Sequence, residues 1–404
     1  MGKAILGTVN INAGAQNADT TYYHFCLMGH IIQATTTESN TQRTFRTTGI
    51  LSNLYMRVIS NDRTTASTGR TRINGGNGNQ SISIGSSTTG EFEDTVNRDP
   101  IYAGNNVNLS LAVGTTGTVF NFITHSVIFK SNKHTITPTG VNGQNFTTAS
   151  TTQYFSLSGS QVYETDELQS QEQISMGAIA KNMFLNITTN SRTTTTTYGL
   201  RKNTANGNLS ISVSDGSTGF FEDNTNTDTI AAGNLVNFYI TTGTGTEIIV
   251  HSIGSVEIET VNNSIFLGGY VNESVSANVT AYFNLLGGNA ETTTQVNASM
   301  KVRISLRIKN IWVYVSANTV VGASTFTIMN NFSAGNNSIS IGSLATGEFE
   351  DASNLDVIYS ASQVSYRIIT GATGTSMVID NITCVGINIG VKGGSGTLST
   401  PGIF

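Results

Sequence analysis

The densest acid chemistry in this chain sits in eight residues, Phe92-Glu93-Asp94-Thr95-Val96-Asn97-Arg98-Asp99. The pattern returns as Phe221-Glu222-Asp223 with Asn226 and Asp228, and again as Phe349-Glu350-Asp351 with Asn354 and Asp356. Carboxylates and amide oxygens crowded this closely can gather a hard cation, calcium above all. The candidate ligands are Glu93, Asp94, Asn97, Asp99, Asp223, Asp228, Asp351 and Asp356. Their spacing is not the fixed oxygen ladder of an EF-hand loop. Glycoside hydrolysis, the other use of paired acids, needs two carboxyls facing across a cleft. Here the acids share one turn, three times over. The pattern favours a structural role, with Phe92 packing inward at a strand end and Asp94, Asn97 and Asp99 bonding their own turn backbone. No cofactor is expected on that reading, and calcium is the alternative to it.

Other reactive side chains form no constellation. The histidines His24, His30, His125, His134 and His251 make no HxH or HExxH pattern. Neither a GxSxG nucleophile motif nor a P-loop is present. The stretch Gly114-Thr115-Thr116-Gly117-Thr118 lacks the lysine of a phosphate cradle and reads as a hairpin turn. Cys26 and Cys384 do not recur with the rest of the pattern, so they read as buried free thiols. Arg63 and Arg192 stand at equivalent places in SNDRTTAST and TNSRTTTTT, with Val320 there in the third copy. A loop charge kept twice is a candidate for pairing with the acidic turn of a neighbouring domain or subunit. A solvated surface charge is the plain alternative. An enzyme is not expected.

The elements that position these residues come in three copies. Blocks beginning at Gly78, Gly207 and Gly335 repeat with spacings of 129 and 128 residues. Such a period is too long for a solenoid and matches a whole domain. Asn53-Leu54-Tyr55 likewise returns as Asn182-Met183-Phe184 and Asn310-Ile311-Trp312. Boundaries fall near 133 and 262, giving domains 1–133, 134–262 and 263–404. Eight strands are predicted per copy, in the first near 4–11, 22–29, 43–51, 53–60, 68–74, 80–85, 106–113 and 119–129. Ser81-Ile82-Ser83-Ile84 alternates polar and apolar, as a half-buried strand must. A short helix near Leu168–Met176 is compatible with the pattern. The predicted fold is all-β: three tandem antiparallel β-sandwich domains, jelly-roll-like, with an immunoglobulin-like sandwich as the alternative. Joints this short imply domains that pack together or stand in a fixed rod. A Gly-rich arm, 390–404, ends in Ile403 and Phe404, which read as an assembly contact.

Composition narrows the partners. Charged residues are 11% of the 404, against about 25% in ordinary soluble proteins. Net charge is −5, so no electrostatic footprint for nucleic acid or an anionic membrane is present. The start MGKAILGTVNINAGAQ has no convincing apolar core or cleavage site, so a secretory signal is not expected. The block RTTASTGRTRINGGNGNQSISIGSSTTGEFEDT, followed by VNLSLAVGTTGT, resembles repeats in structural proteins of tailed phages and related viruses. The resemblance covers about half the chain, in three pieces, and brings no known site. It implies a head decoration, fibre or tail-associated protein that is found in the virion after synthesis in the host cytoplasm. Its partners would be itself, as a homo-oligomer such as a trimer, and other virion proteins. A receptor- or glycan-binding adhesin, meeting a host surface glycan, and an extracellular filament subunit are the alternatives.

Overall fold

A computed structural model describes residues 2–9, 22–25, 27, 29–30, 36–131, 134–136, 144–158, 163–260, 264–287 and 292–389. The chain folds into β-sandwiches. In the first, the eight main strands are β1 (Gly2–Val9), β2 (Tyr22–Phe25), β3 (Gly49–Asn61), β4 (Ser67–Ile73), β5 (Gly76–Ile84), β6 (Gly90–Ile101), β7 (Asn106–Ala112) and β8 (Phe120–Ser131). The second holds β9 (His134–Ile136), β10 (Thr152–Phe155), β11 (Ala178–Arg192), β12 (Thr196–Lys202), β13 (Ala205–Val213), β14 (Gly219–Ile230), β15 (Asn234–Thr241) and β16 (Gly245–Thr260). The third holds β17 (Ser264–Ser276), β18 (Thr280–Phe283), β19 (Leu306–Asn318), β20 (Ser324–Asn330), β21 (Ser333–Ile341), β22 (Gly347–Ile358), β23 (Gln363–Ile369) and β24 (Ser376–Asn388).

One sheet of the first sandwich runs β1-β8-β3-β6 and the other β2-β7-β4-β5, and both orders repeat in the second and third. First thus lies beside last, second beside seventh, third beside sixth and fourth beside fifth. One long hairpin rolled upon itself has this topology, which is the jelly roll. The inward positions make the core. Leu54, Met56 and Val58 of β3 meet Ile82 and Ile84 of β5, and Phe25 meets Phe122 edge-on at 5.1 Å between centroids.

Two local expectations need correction. The acidic segment is not a turn between strands: it lies inside β6. It pairs with β3, which is one strand where the sequence reading placed two; Arg43–Thr44 is a separate short strand against β7. The cause is a bulge. Leu54 pairs Asp94, but the next pair is Ser52 with Arg98, so Thr95–Asn97 loop out opposite Asn53. Asn53 sits at φ 56°, and its equivalents Asn182 and Asn310 at 52° and 53°. Asparagine tolerates this left-handed conformation better than most residues, which accounts for its recurrence. The helix near 168–176 is a single turn, Glu167–Ser170.

The three sandwiches close on one another in a cycle. β1, β9 and β17 each touch the other two, so the first strands meet at a common centre. Polar contacts run from the first sandwich to the second, from the second to the third and from the third back to the first. The arrangement is a pseudo-threefold ring, not a rod.

Candidate functional site

Each seam of the ring is built alike. The segment after the second strand of one sandwich lies on the outer face of the next sandwich's β1-β8-β3-β6-type sheet. From the first to the second, the Arg46 N–H donates to Glu257 at 3.1 Å, Thr47 Oγ1 donates to it at 3.2 Å, and the Arg46 guanidinium pairs with Glu222. From the second to the third, Ser156 bonds Asn381 at 3.0 Å, and Thr383 Oγ1 donates to the Gln173 carbonyl at 3.1 Å. The Ser158 hydroxyl donates to the Gly268 carbonyl at 2.8 Å, and the Tyr270 hydroxyl bonds Glu164. From the third to the first, Lys301 pairs with Glu91 at 2.6 Å and Arg303 pairs with Glu93.

An aromatic residue anchors every seam. Strand alternation turns Tyr55, Phe184 and Trp312 away from their own cores, since Leu54, Met183 and Ile311 beside them point in. Yet they are only 0%, 6% and 1% exposed. Their cross-strand neighbours identify what covers them. Tyr55 lies beside Glu93, Phe184 beside Glu222, and Trp312 beside Thr383, each of which bonds the preceding sandwich. Trp312 also stacks with Tyr314 and donates its indole N–H to Glu348 at 3.2 Å. Burial of such a ring contributes about 1.5–3 kcal/mol. In the sequence this triplet stands out as a marker of the repeat.

The aspartates serve a different purpose. Asp94 of β6 accepts the N–H of Ser81 on β5 at 2.9 Å and those of Val96 and Asn97 in its own bulge at 3.1 and 2.9 Å. Asp223 accepts from Ser210 at 3.0 Å, and Asp351 from Ser338 at 2.8 Å, in the same way. The second aspartate of each pair reaches two residues further along the opposite sheet. Asp228 accepts from Asn208 and Leu209 at 2.8 and 3.0 Å, and Asp356 from Asn336 and Asn337 at 2.6 and 2.9 Å. Asp99 holds Asn79 and Gln80. β5, β13 and β21 are the edges of their sheets. Two carboxylates per copy therefore cap an edge whose N–H groups would otherwise invite another strand, and they tie the two sheets together at that edge. The glycine that opens each block is explained by the same contact. A Cβ at Gly78, Gly207 or Gly335 would lie 2.8, 2.4 or 2.6 Å from the carboxylate of Asp99, Asp228 or Asp356.

Electrostatics agree with this geometry. Burial alone would raise the carboxyls, but the hydrogen bonds from Asn97, Ser81 and their counterparts outweigh it, so Asp94 and Asp223 lie below the usual range. Asp351 is held down at about 2 against the same opposing burial. Turn-backbone bonding by Asp94 is thus one half of its role, and Asp99 bonds the opposite strand instead of its own turn. Phe92 packs against the core only partly buried, within the strand and not at its end. Glu93 is a seam residue. The carboxylates among the candidate calcium ligands face N–H donors that a cation would have to displace. Among the described residues, no group of three or more His, Cys, Asp or Glu is placed to hold a metal ion.

Among the described residues, the ion pairs link neither Arg63 nor Arg192 to the acidic segment of another sandwich. Both are buried, and their guanidinium groups collect carbonyls of their own sandwich. Arg63 donates to Gly117 at 3.0 Å, and Arg192 donates to Gly243 and Gly245 at 3.3 and 2.9 Å. They pin the turn between the seventh and eighth strands, and Val320 fills the space in the third copy. Ile403 and Phe404 lie outside the described residues, as does Cys26. Cys384 is a buried free thiol, pushed up to about 12 by burial. No described helix is long and apolar enough to cross a membrane. No protein-family model matches the chain, and no curated protein matches it.

Proposed function

We propose that this chain is a structural component of a virus particle, a capsid decoration, fibre or tail-associated protein that acts through protein–protein assembly. The observation that carries the reading is the closed ring of three jelly rolls made by one chain. A ring with a pseudo-threefold centre suits a threefold position on a symmetric particle, where its partners would be further copies and other virion proteins. The phage-like repeat blocks point the same way. No catalytic part is needed, because seams and capped edges do the mechanical work. Mass spectrometry of gradient-purified particles from the source culture tests this. The chain should band with particles in stoichiometric amount; recovery only from the particle-free fraction refutes the proposal.

One observation favours a second reading, a receptor- or glycan-binding adhesin. Tyr102 and Tyr359 occupy equivalent turns and are 62% and 65% exposed. Exposed tyrosines at loop tips stack on sugar faces at little entropic cost. A glycan array that shows binding lost in Tyr102→Ala/Tyr359→Ala supports it, and an array without a binder removes it.

A further inference from the structure

A cavity of about 170 Å³ lies in the seam between the third and first sandwiches. Its floor is the outer face of β3, β6 and β8, and Arg303 with Ile304 closes it from the third sandwich. Register sets the charges around β3. Arg98 lies opposite Ser52 on one side, and Lys130 lies opposite Ile50 on the other. Arg303 adds a cation from across the seam, where it meets Glu93. Next to it, Arg57 and Lys301 share Glu91. Five cations thus stand against two carboxylates, and the ion pairs among the described residues give Arg98 and Lys130 no acid. This concentration stands out in a chain with only 20 Lys and Arg and a net charge of −5. Arg98 is exposed and Lys130 half-buried, so water screens their repulsion in part, but cations gathered around one cavity leave a local positive potential that favours an anion.

The sister seams do not share this arrangement. In the second sandwich the positions of Ser52 and Lys130 are Lys181 and Glu259, which pair with each other. Thr227 replaces Arg98 there. In the third, Arg307 and Lys309 lie on β19, but Ser175 stands where Arg303 would reach over. The seam from the third sandwich to the first is where cations from both sides line a cavity.

We infer that this cavity binds a compact tetrahedral oxyanion of the phosphate or sulfate class, gripped by Arg98 and Lys130 against Arg303. The Ser52 hydroxyl and the Asn53 amide line the same cavity and add neutral donors. A dianion there would cancel the surplus charge of the three lining cations over Glu93. The volume leaves room for a few waters beside it, at about 30 Å³ each. The site goes beyond the structural role proposed above and does not depend on it.

The test is calorimetric titration of the full chain with inorganic phosphate at low ionic strength, beside chloride at equal ionic strength. One phosphate per chain is expected, together with a melting temperature raised by phosphate and not by chloride. Arg98→Gln/Lys130→Gln should weaken binding by roughly tenfold or more, the loss of about one charge-assisted hydrogen bond. Glycerol 2-phosphate run in parallel separates a free ion from an esterified group. Equal binding by the double variant, three sites per chain, or no difference from chloride overturns the inference. Should the double variant misfold, crystals of the unaltered chain soaked in tungstate decide. Density between Lys130 and Arg303 supports the site, and density elsewhere alone refutes it.

Discussion

Replacing Asp351 by alanine removes one edge clamp from the third sandwich while leaving its core untouched. The side chain accepts N–H groups from Ser338, Ser353 and Asn354 at 2.8, 3.2 and 3.1 Å. A carboxyl held at about 2 when folded, against 3.8 ordinarily, corresponds to roughly 2 kcal/mol at neutral pH, or about 1–2 after solvent screening. Donors left unpaired at the edge add about 1 kcal/mol. The expected loss is about 2–3 kcal/mol, or roughly 1–2 M in the urea midpoint for a sandwich of this size. Trp312, the single tryptophan, lies on β19 of the same sandwich, buried in its seam, and reports loss of that sandwich by fluorescence. The pH dependence supplies the stringent check. Because the folded value is depressed, the contribution is fully present above about pH 4 and is lost as pH falls towards 2. The gap between the native chain and the variant must therefore close over that interval. A variant as stable as the native chain at pH 7, or a deficit unchanged down to pH 2, refutes the clamp.

Gly207→Ala should destabilise the second sandwich by about 1–3 kcal/mol, since a Cβ would sit 2.4 Å from an oxygen of the Asp228 carboxylate, which two backbone bonds, one to each oxygen, hold in place; thermal denaturation followed by circular dichroism measures it. In the first seam, Glu257→Ala should far exceed Arg46→Ala in effect. Glu257 is buried and accepts from Arg46, Thr47 and Asn182, whereas the Arg46–Glu222 pair is about one-third exposed on both sides and is worth at most about 1 kcal/mol. Hydrogen exchange at residues 43–48 reads the difference, and equal protection in both variants contradicts it. Asp380 is pushed up to about 7 by burial, with Glu164 and Asp166 across the seam adding to the effect. A raised carboxyl costs stability as pH climbs from about 4 through 7, so Asp380→Asn should stabilise by on the order of 2–4 kcal/mol at pH 8 and by little at pH 4; urea melts at the two pH values decide.

Much of the fold was legible because the signals for it are local. Ser81-Ile82-Ser83-Ile84 alternates, and in the structure Ile82 and Ile84 face the core. β6 was missed because its local signals contradict its structure. Thr95–Asn97 bulge out and Asp94 caps them, so charge and turn formers mark the middle of a strand. Tyr55, Phe184 and Trp312 show the limit of alternation. It places them outward, and nothing near them in sequence says that another sandwich covers that face. Arg63 and Arg192 misled for a related reason. Their carbonyl partners lie 44–54 residues away in the chain, at Gly117, Gly243, Gly245 and Thr148. A polar, threonine-rich loop therefore hid a buried cation.

Covalent linkage explains why the clamps recur while the seams diverge. Each sandwich needs its own edge closed, so Asp94, Asp223 and Asp351 do the same work three times. A seam need only fit its own neighbour. The first and third share one ion pair at equivalent positions, Arg46 with Glu222 and Arg303 with Glu93, but the first adds the buried Glu257, the third adds Lys301 against Glu91, and the second uses Ser156 against Asn381 and Tyr270 against Glu164. Pairing the wrong faces would set Met176 or Ile304 where Thr47 bonds the buried Glu257, leaving that charge short of a hydrogen bond at about 1.5–3 kcal/mol. Three identical subunits could not hold three different seams. One chain can, and the same divergence selects one cyclic order, while the effective concentration set by covalent linkage favours return of the third sandwich to its own first over the first sandwich of another molecule. Seams fixed in this way release the outer edges and turns from closing the ring, which leaves those surfaces to whatever the ring as a whole must meet.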